Sequence, residues 1–251
     1  MTEDRKPDSS KKEEEQDRKI RLVPNKDEQY KPMKATITCG KCGKEWEAVL
    51  QPCVNISLHP DEKEKVLDGS FFHRVCPSCG ETISVFYPFL YDDMQKALMI
   101  YLLPEDTEKA LEALNAQQKN WSPDMLKAAK ICKMRAVGSL IQLVEKIKIF
   151  DEGLDDRYVE LTKPFIFAQF QKAHPEVEGI AALYEKQNGK NGYTIFCKDG
   201  KQFWAEIPEG VYEEVERIFK DEVEKKTTTE YEMIGPGWAH DKIATLMGKS
   251  E

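Results

Sequence analysis

Residues 37–43 read ITCGKCG, and residues 76–80 read CPSCG. Each stretch is a C-x-x-C pair followed by a glycine, and 33 residues separate the two pairs. Two thiolates at positions i and i+3 of a tight turn can reach one metal ion at about 2.3 Å. The glycine lets the backbone turn left-handed behind that metal. The two pairs therefore predict a tetrahedral site made by four cysteines, Cys39, Cys42, Cys76 and Cys79.

The ligand type favours one Zn²⁺ per chain, with iron as a less favoured occupant of the same four-sulfur shell. Four protein thiolates leave no position for a water molecule, so the predicted role is structural rather than catalytic. Cys53, His59 and His73 lie in the same segment, but the two pairs already supply four ligands. A dithiol redox motif is a weaker alternative, because neither pair opens a recognisable βαβ unit.

The composition limits the class of protein. The chain has 251 residues, 40% of them hydrophobic, and a formal net charge of -8. This acidic balance argues against a nonspecific DNA-binding protein. The longest apolar run, Ala97–Leu103, is far shorter than the roughly 20 residues of a membrane span. No signal peptide is visible in residues 1–20, and seven cysteines with two C-x-x-C pairs suit a reducing compartment, so we expect a cytoplasmic protein.

The predicted organisation has three parts. Residues 1–33 are charge-dense and poor in apolar residues, which predicts a disordered tail. Residues 34–104 form a zinc-binding β domain, and residues 105–247 form an α+β region with a β-hairpin at 193–207. The expected fold class is α+β, with a zinc-ribbon-like antiparallel β domain followed by a helix–hairpin–helix region.

Short runs rich in β-branched and aromatic residues predict the strands of the first domain. They are Thr36–Cys39, Glu45–Leu50, Cys53–Leu58, Phe71–Val75, Glu81–Tyr87 and Ala97–Leu103. Between them, Pro60 is expected to open a short helix that Gly69 stops. The aromatic residues of this domain are expected in the core, and a base-stacking or peptide-binding platform is the alternative. They are Phe71, Phe72, Tyr87, Phe89, Tyr91 and Tyr101.

Capping residues predict the helices that follow. Ser122 precedes Pro123 as an N-cap, and Ser139 opens a helix with an apolar stripe. A further helix, capped by Asp155 or Asp156, is expected over about 156–173, with Pro164 kinking it or ending its first part. In the predicted hairpin, a two-residue Asp199-Gly200 turn places Phe196 opposite Phe203 and Ile195 opposite Trp204. Both faces of the hairpin carry apolar side chains, so we expect packing on both sides.

The sequence resembles the CpXC domain, a bacterial family named for its paired cysteine motifs. The resemblance covers residues 37–104 and, more loosely, residues 133–165. The matching stretches are ITCGKCG, VNISLHPDEKEKVLDGSFF, CPSCG, FYPFLYDDM, ALMIYLLPE and EKIKIFDEGLDDRYVEL. Gly40 stands where the family name implies proline. The resemblance implies a metal-binding domain and no particular reaction.

The leading functional hypothesis is a zinc-binding, non-enzymatic binding or adaptor module with a protein partner and no membrane contact. A hydrolase or nuclease is one alternative, and it requires Asp92, Asp93, Asp155 and Asp156 to converge in one cleft. A nucleic-acid-binding zinc ribbon is another, although the net charge disfavours it, and redox sensing through the thiolates is a third. The sequence leaves the oligomeric state open.

Overall fold

The computed structural model of the chain describes residues 31–224 and 229–248. The predicted disordered tail therefore lies outside the described residues, except for its last three. Met33 already belongs to the first strand. The described ranges contain seven α-helices and four sheets, so the α+β class is confirmed.

Eleven strands and seven helices follow one another along the described chain. The strands are β1 (Met33–Thr38), β2 (Glu45–Leu50), β3 (Cys53–Asn55), β4 (His73–Val75), β5 (Thr82–Ser84), β6 (Phe89–Asp93), β7 (Leu98–Leu102), β8 (Lys133–Val137), β9 (Gly179–Gln187), β10 (Lys190–Cys197) and β11 (Gln202–Glu206). The helices are α1 (Glu62–Leu67), α2 (Thr107–Gln117), α3 (Pro123–Ala129), α4 (Leu140–Asp151), α5 (Asp156–Ala173), α6 (Val211–Glu224) and α7 (Pro236–Met247).

Two antiparallel hairpins carry the cysteine pairs, and a four-stranded sheet combines three strands from the same part of the chain with β8. β1 pairs with β2, and β4 pairs with β5. The larger sheet has the order β3-β6-β7-β8, with β6 and β7 antiparallel and both outer pairs parallel. β8 was not predicted, and it joins residues beyond Pro104 to the sheet of the first domain.

The main core lies between the four-stranded sheet and α4. Phe89, Ile100 and Leu143 are fully buried there. Most of the predicted aromatic zone is part of this packing, because Phe72 makes edge-on ring contacts with Tyr87 and Phe89, whereas Tyr101 is buried in a second cluster. These buried rings offer no open platform for stacking a base.

Helices α4 and α5 begin at the predicted caps. The Ser139 side chain accepts the Gln142 N–H at 3.4 Å, and Asp155 accepts the Arg157 N–H at 2.9 Å. α5 continues through Pro164 instead of ending there. Side chains on both sides of the proline pack into one cluster, and this burial offsets the lost backbone hydrogen bond.

The predicted hairpin exists, but it belongs to a three-stranded antiparallel sheet of order β11-β10-β9. Its predicted register is wrong by one residue, because Ile195 lies opposite Phe203 and Thr194 lies opposite Trp204. The Cys197 N–H donates to the Lys201 carbonyl at 2.9 Å, so the turn has three residues instead of two. Changing the loop length by one residue shifts every facing pair.

Within the described ranges, no helix has both the length and the apolar character needed to cross a bilayer.

Candidate metal centre

The first cysteine pair occupies the turn between β1 and β2. The Cys39 N–H donates to the Lys44 carbonyl at 2.8 Å, and the Gly43 N–H donates to the Cys39 carbonyl at 2.8 Å. Gly43 has a φ of +71°, and an added Cβ would meet no atom within 4 Å. Glycine is therefore favoured there by its left-handed backbone and not by crowding.

The second pair repeats this geometry in the turn between β4 and β5. The Cys76 N–H donates to the Glu81 carbonyl at 2.8 Å, and the Gly80 N–H donates to the Cys76 carbonyl at 3.0 Å. Gly80 has a φ of +73°. The two turns are therefore equivalent knuckles, each presenting two sulfur atoms.

The four sulfur atoms meet at the predicted place. Cys39 Sγ lies 3.6 Å from Cys79 Sγ, and Cys42 Sγ lies 3.7 Å from Cys76 Sγ. All four lie within 4.8 Å of one another. A tetrahedron with Zn–S bonds of about 2.3 Å has S–S edges of about 3.8 Å. The cluster therefore has the size of a four-thiolate metal shell and could hold one ion.

The thiols of the cluster influence one another's ionisation. Burial disfavours the Cys76 thiolate, but backbone N–H groups of Cys79 and Ser78 and the neighbouring thiols lower its pKa to about 7. At Cys79, the Glu81 N–H favours the thiolate, yet burial and hydrogen bonds with the other cysteines raise the pKa to about 12. Four thiolates this close repel one another, and a bound cation is what would let all four ionise.

The two knuckles also touch through a surface ion pair. Lys41 Nζ lies 2.7 Å from Glu81 Oε2, and both side chains are exposed, so the pair contributes little stability. Cys39 and Cys76 are buried, whereas Cys42 and Cys79 are exposed. Each knuckle thus contributes one buried and one exposed cysteine.

The other sequence candidates do not join the cluster. Among residues 31–224 and 229–248, the four cysteines form the only group of three or more potential ligands close enough to share a metal ion. Cys53, His59 and His73 are not part of it. Burial, with the nearby Asp92 carboxylate, raises the pKa of the Cys53 thiol to about 12, which makes it a neutral, poorly nucleophilic group.

Each of the four aspartates of the hydrolase or nuclease hypothesis is held by its own hydrogen bonds or ion pairs. Asp92 accepts a hydrogen bond from Asn55, and Asp93 accepts one from the Lys96 N–H. Asp155 caps α5 and binds Arg157. They form no shared metal site within the described residues. The described part of the chain therefore shows no cluster of these carboxylates close enough to share a metal ion, as a metal-dependent hydrolase or nuclease would require.

Asp156 belongs to a buried ion network that sequence reasoning missed. It is fully buried and accepts hydrogen bonds from Arg135 at 2.8–3.0 Å, with Lys146 Nζ 3.0 Å away. The positive charges hold the Asp156 pKa well below its usual range, although burial alone would raise it. The signal in the sequence was Arg135 inside the otherwise apolar run MRAV, because a buried arginine needs a carboxylate.

Comparison with protein families gives one match. A family model described as "CpXC protein" matches residues 37–163, just over half of the 251 residues. The chain belongs to the CpXC family. The CpXC match takes in both knuckles, the four-stranded sheet, α4 and the first part of α5, and it ends before β9. A search of curated proteins and a search of solved structures found no match.

Proposed function

We propose that this CpXC protein is a zinc-dependent binding module, in which Cys39, Cys42, Cys76 and Cys79 hold one structural Zn²⁺. The observation that carries the proposal is the near-tetrahedral spacing of the four sulfur atoms. An all-thiolate donor set selects zinc over hard cations such as Mg²⁺ or Ca²⁺. The closed shell leaves no site for a reacting water, which supports a structural role.

The ion would supply stability that the two hairpins lack by themselves. β4 and β5 have only three residues each. Isolated two-stranded hairpins are marginally stable in water. One ion bound by both knuckles would join the hairpins as in a zinc ribbon, and its binding energy would contribute directly to folding.

The proposed activity is non-enzymatic binding of another protein, in the manner of an adaptor. The four aspartates Asp92, Asp93, Asp155 and Asp156 are each held by separate hydrogen bonds or ion pairs and share no metal site among the described residues, which supports this choice over a metal-dependent hydrolase or nuclease. Reduced thiols in the cluster suit a cytoplasmic location.

The zinc content of purified variants tests the proposal. We expect about one zinc per chain in the wild type and little in Cys42→Ser, because a hydroxyl replaces one thiolate. Cys132→Ser is the matched control, since Cys132 is a free cysteine outside the cluster, and it should keep its zinc. Stoichiometric zinc in Cys42→Ser, or iron in the wild type, would refute the proposed site.

A further inference from the structure

Residues of α4, α5, β9 and the start of α7 line a cavity of about 390 Å³. This volume lies within the range of roughly 300–1,000 Å³ that is usual for small-molecule sites. None of the four clustered cysteines lines the cavity. The cavity therefore belongs to a part of the molecule that the zinc proposal does not use.

The side chain of Lys146 lines this cavity and has hydrogen-bond donors to spare. Lys146 is only 2% exposed. Its ammonium lies 3.0 Å from Asp156 Oδ2, but Asp156 already accepts hydrogen bonds from Arg135. Among the described residues, Lys146 Nζ makes no hydrogen bond of ordinary geometry. A buried ammonium with unused N–H donors is unfavourable, so an acceptor atom in the cavity would stabilise it.

The first turn of α7 brings further donors to the same cavity. Gly235 is the N-cap and has no side chain that could accept a bond, and the Ala239 N–H donates to the Gly235 carbonyl at 3.0 Å. The N–H groups of Gly237 and Trp238 precede this first helical hydrogen bond. Such a helix start attracts anions. Together with the ammonium of Lys146, it gives the cavity two independent features that select an anion.

Two glutamates in the cavity wall limit the charge of that anion. Lys163 Nζ lies 2.8 Å from Glu145 Oε1 and 2.8 Å from Glu160 Oε2, so two carboxylates share one ammonium. The negative charge that remains would repel a doubly charged phosphate more strongly than a singly charged carboxylate. The wall therefore favours a carboxylate ligand.

Apolar side chains lie at the exposed rim of the cavity. Ile180 is 61% exposed and Met233 is 37% exposed, and the half-buried Trp238 lines the cavity with them. An apolar wall with a few convergent polar groups is typical of a small-molecule site. These three side chains would contact the apolar body of a ligand.

We propose that this cavity binds a small organic carboxylate with an apolar body. The carboxylate accepts hydrogen bonds from Lys146 and from the first turn of α7, and the apolar body lies against Ile180, Met233 and Trp238. An ammonium group next to the carboxylate, as in a free amino acid, would also pair with the two glutamates. This site goes beyond the proposed zinc-dependent function and does not rest on it.

Isothermal titration calorimetry on the full-length protein tests the proposal with three probes of one carbon skeleton, isocaproate, leucine and isocaproamide. We expect isocaproate or leucine to bind saturably, and the neutral amide to bind at least about tenfold more weakly because it lacks the charge. Tighter binding of leucine supports an amino acid as the ligand, and tighter binding of isocaproate supports a simple carboxylate. Binding of neither carboxylate, or equally tight binding of the amide, would overturn the proposal.

Two substitutions at Gly235, where an added Cβ would meet no atom within 4 Å, locate the bound carboxylate. Gly235→Asp places a carboxylate at the N-cap of α7, where it accepts the same N–H groups and repels an anionic ligand. We expect at least about tenfold weaker binding in Gly235→Asp and unchanged binding in the matched control Gly235→Ala. Because aspartate is a favoured N-cap, Gly235→Asp should be no less stable than Gly235→Ala in urea.

Lys146→Met removes the buried ammonium and should also weaken binding at least about tenfold. Equal binding by the two Gly235 variants, or by Lys146→Met and the wild type, would overturn the proposal. Zinc content, measured in every variant, shows separately whether the metal proposal fails.

Discussion

Replacing Asp156 with asparagine should destabilise the protein by about 3–5 kcal/mol, the usual cost of removing one partner from a buried ion pair. Asp156 accepts three hydrogen bonds from Arg135 and has Lys146 Nζ 3.0 Å away. The asparagine side chain keeps the shape but loses the charge, which leaves two buried cations. Glu232, 3.6 Å from Arg135 and partly exposed, compensates only weakly.

Urea unfolding followed by tryptophan fluorescence measures this change. Asp241→Asn is the control, because the Asp241 side chain is 86% exposed, and it should change the free energy of unfolding by less than about 0.5 kcal/mol. Adding Lys146→Met to Asp156→Asn should recover part of the loss, because it removes one unpaired buried charge. A loss below about 1 kcal/mol for Asp156→Asn would refute the assigned importance of this network.

Three further outcomes follow from the same contacts. Because folding lowers the pKa of Asp156, its stabilising effect is complete above the unfolded pKa of about 3.9 and is lost as the pH falls below that value. The difference in unfolding free energy between the wild type and Asp156→Asn should therefore shrink in acid. A difference that stays constant with pH would contradict this. Gly192→Ala should lower the free energy of unfolding by about 1–3 kcal/mol, since its Cβ would lie 2.7 Å from the Trp204 ring and 2.5 Å from a backbone oxygen. Gly237→Ala, whose Cβ would have no atom within 4 Å, should not lower it. Because the pKa of Cys53 is raised to about 12, its thiol should react with iodoacetamide at pH 8 far more slowly than the thiol of glutathione does. Peptide mass mapping measures the rate, and equal rates would show that the Cys53 thiol is not protected.

The metal cluster could be predicted because its information is local. A C-x-x-C pair followed by glycine fixes the shape of each knuckle, and both knuckles have the same hydrogen bonds and the same left-handed glycine. The starts of helices α4 and α5 could also be predicted from nearby residues, since Ser139 and Asp155 cap their first turns. What the spacing alone could not show is which cysteine of one pair lies nearest to which cysteine of the other.

Features that depend on distant residues were missed. β8 contains Arg135, which argues against a buried strand until Asp156, 21 residues later, supplies its counter-charge. The register of β10 and β11 was wrong because the turn takes one residue more than Asp199-Gly200 suggested. β9 was missed because its half-exposed residues become a strand only by pairing with β10.

X-ray absorption at the zinc edge, on the purified full-length protein, measures directly whether four thiolates hold one zinc ion. A four-thiolate site gives four sulfur scatterers at about 2.3 Å and no nitrogen or oxygen bound to the zinc. Nitrogen or oxygen at about 2.0 Å, fewer than four sulfurs, or a sample without stoichiometric zinc would contradict it.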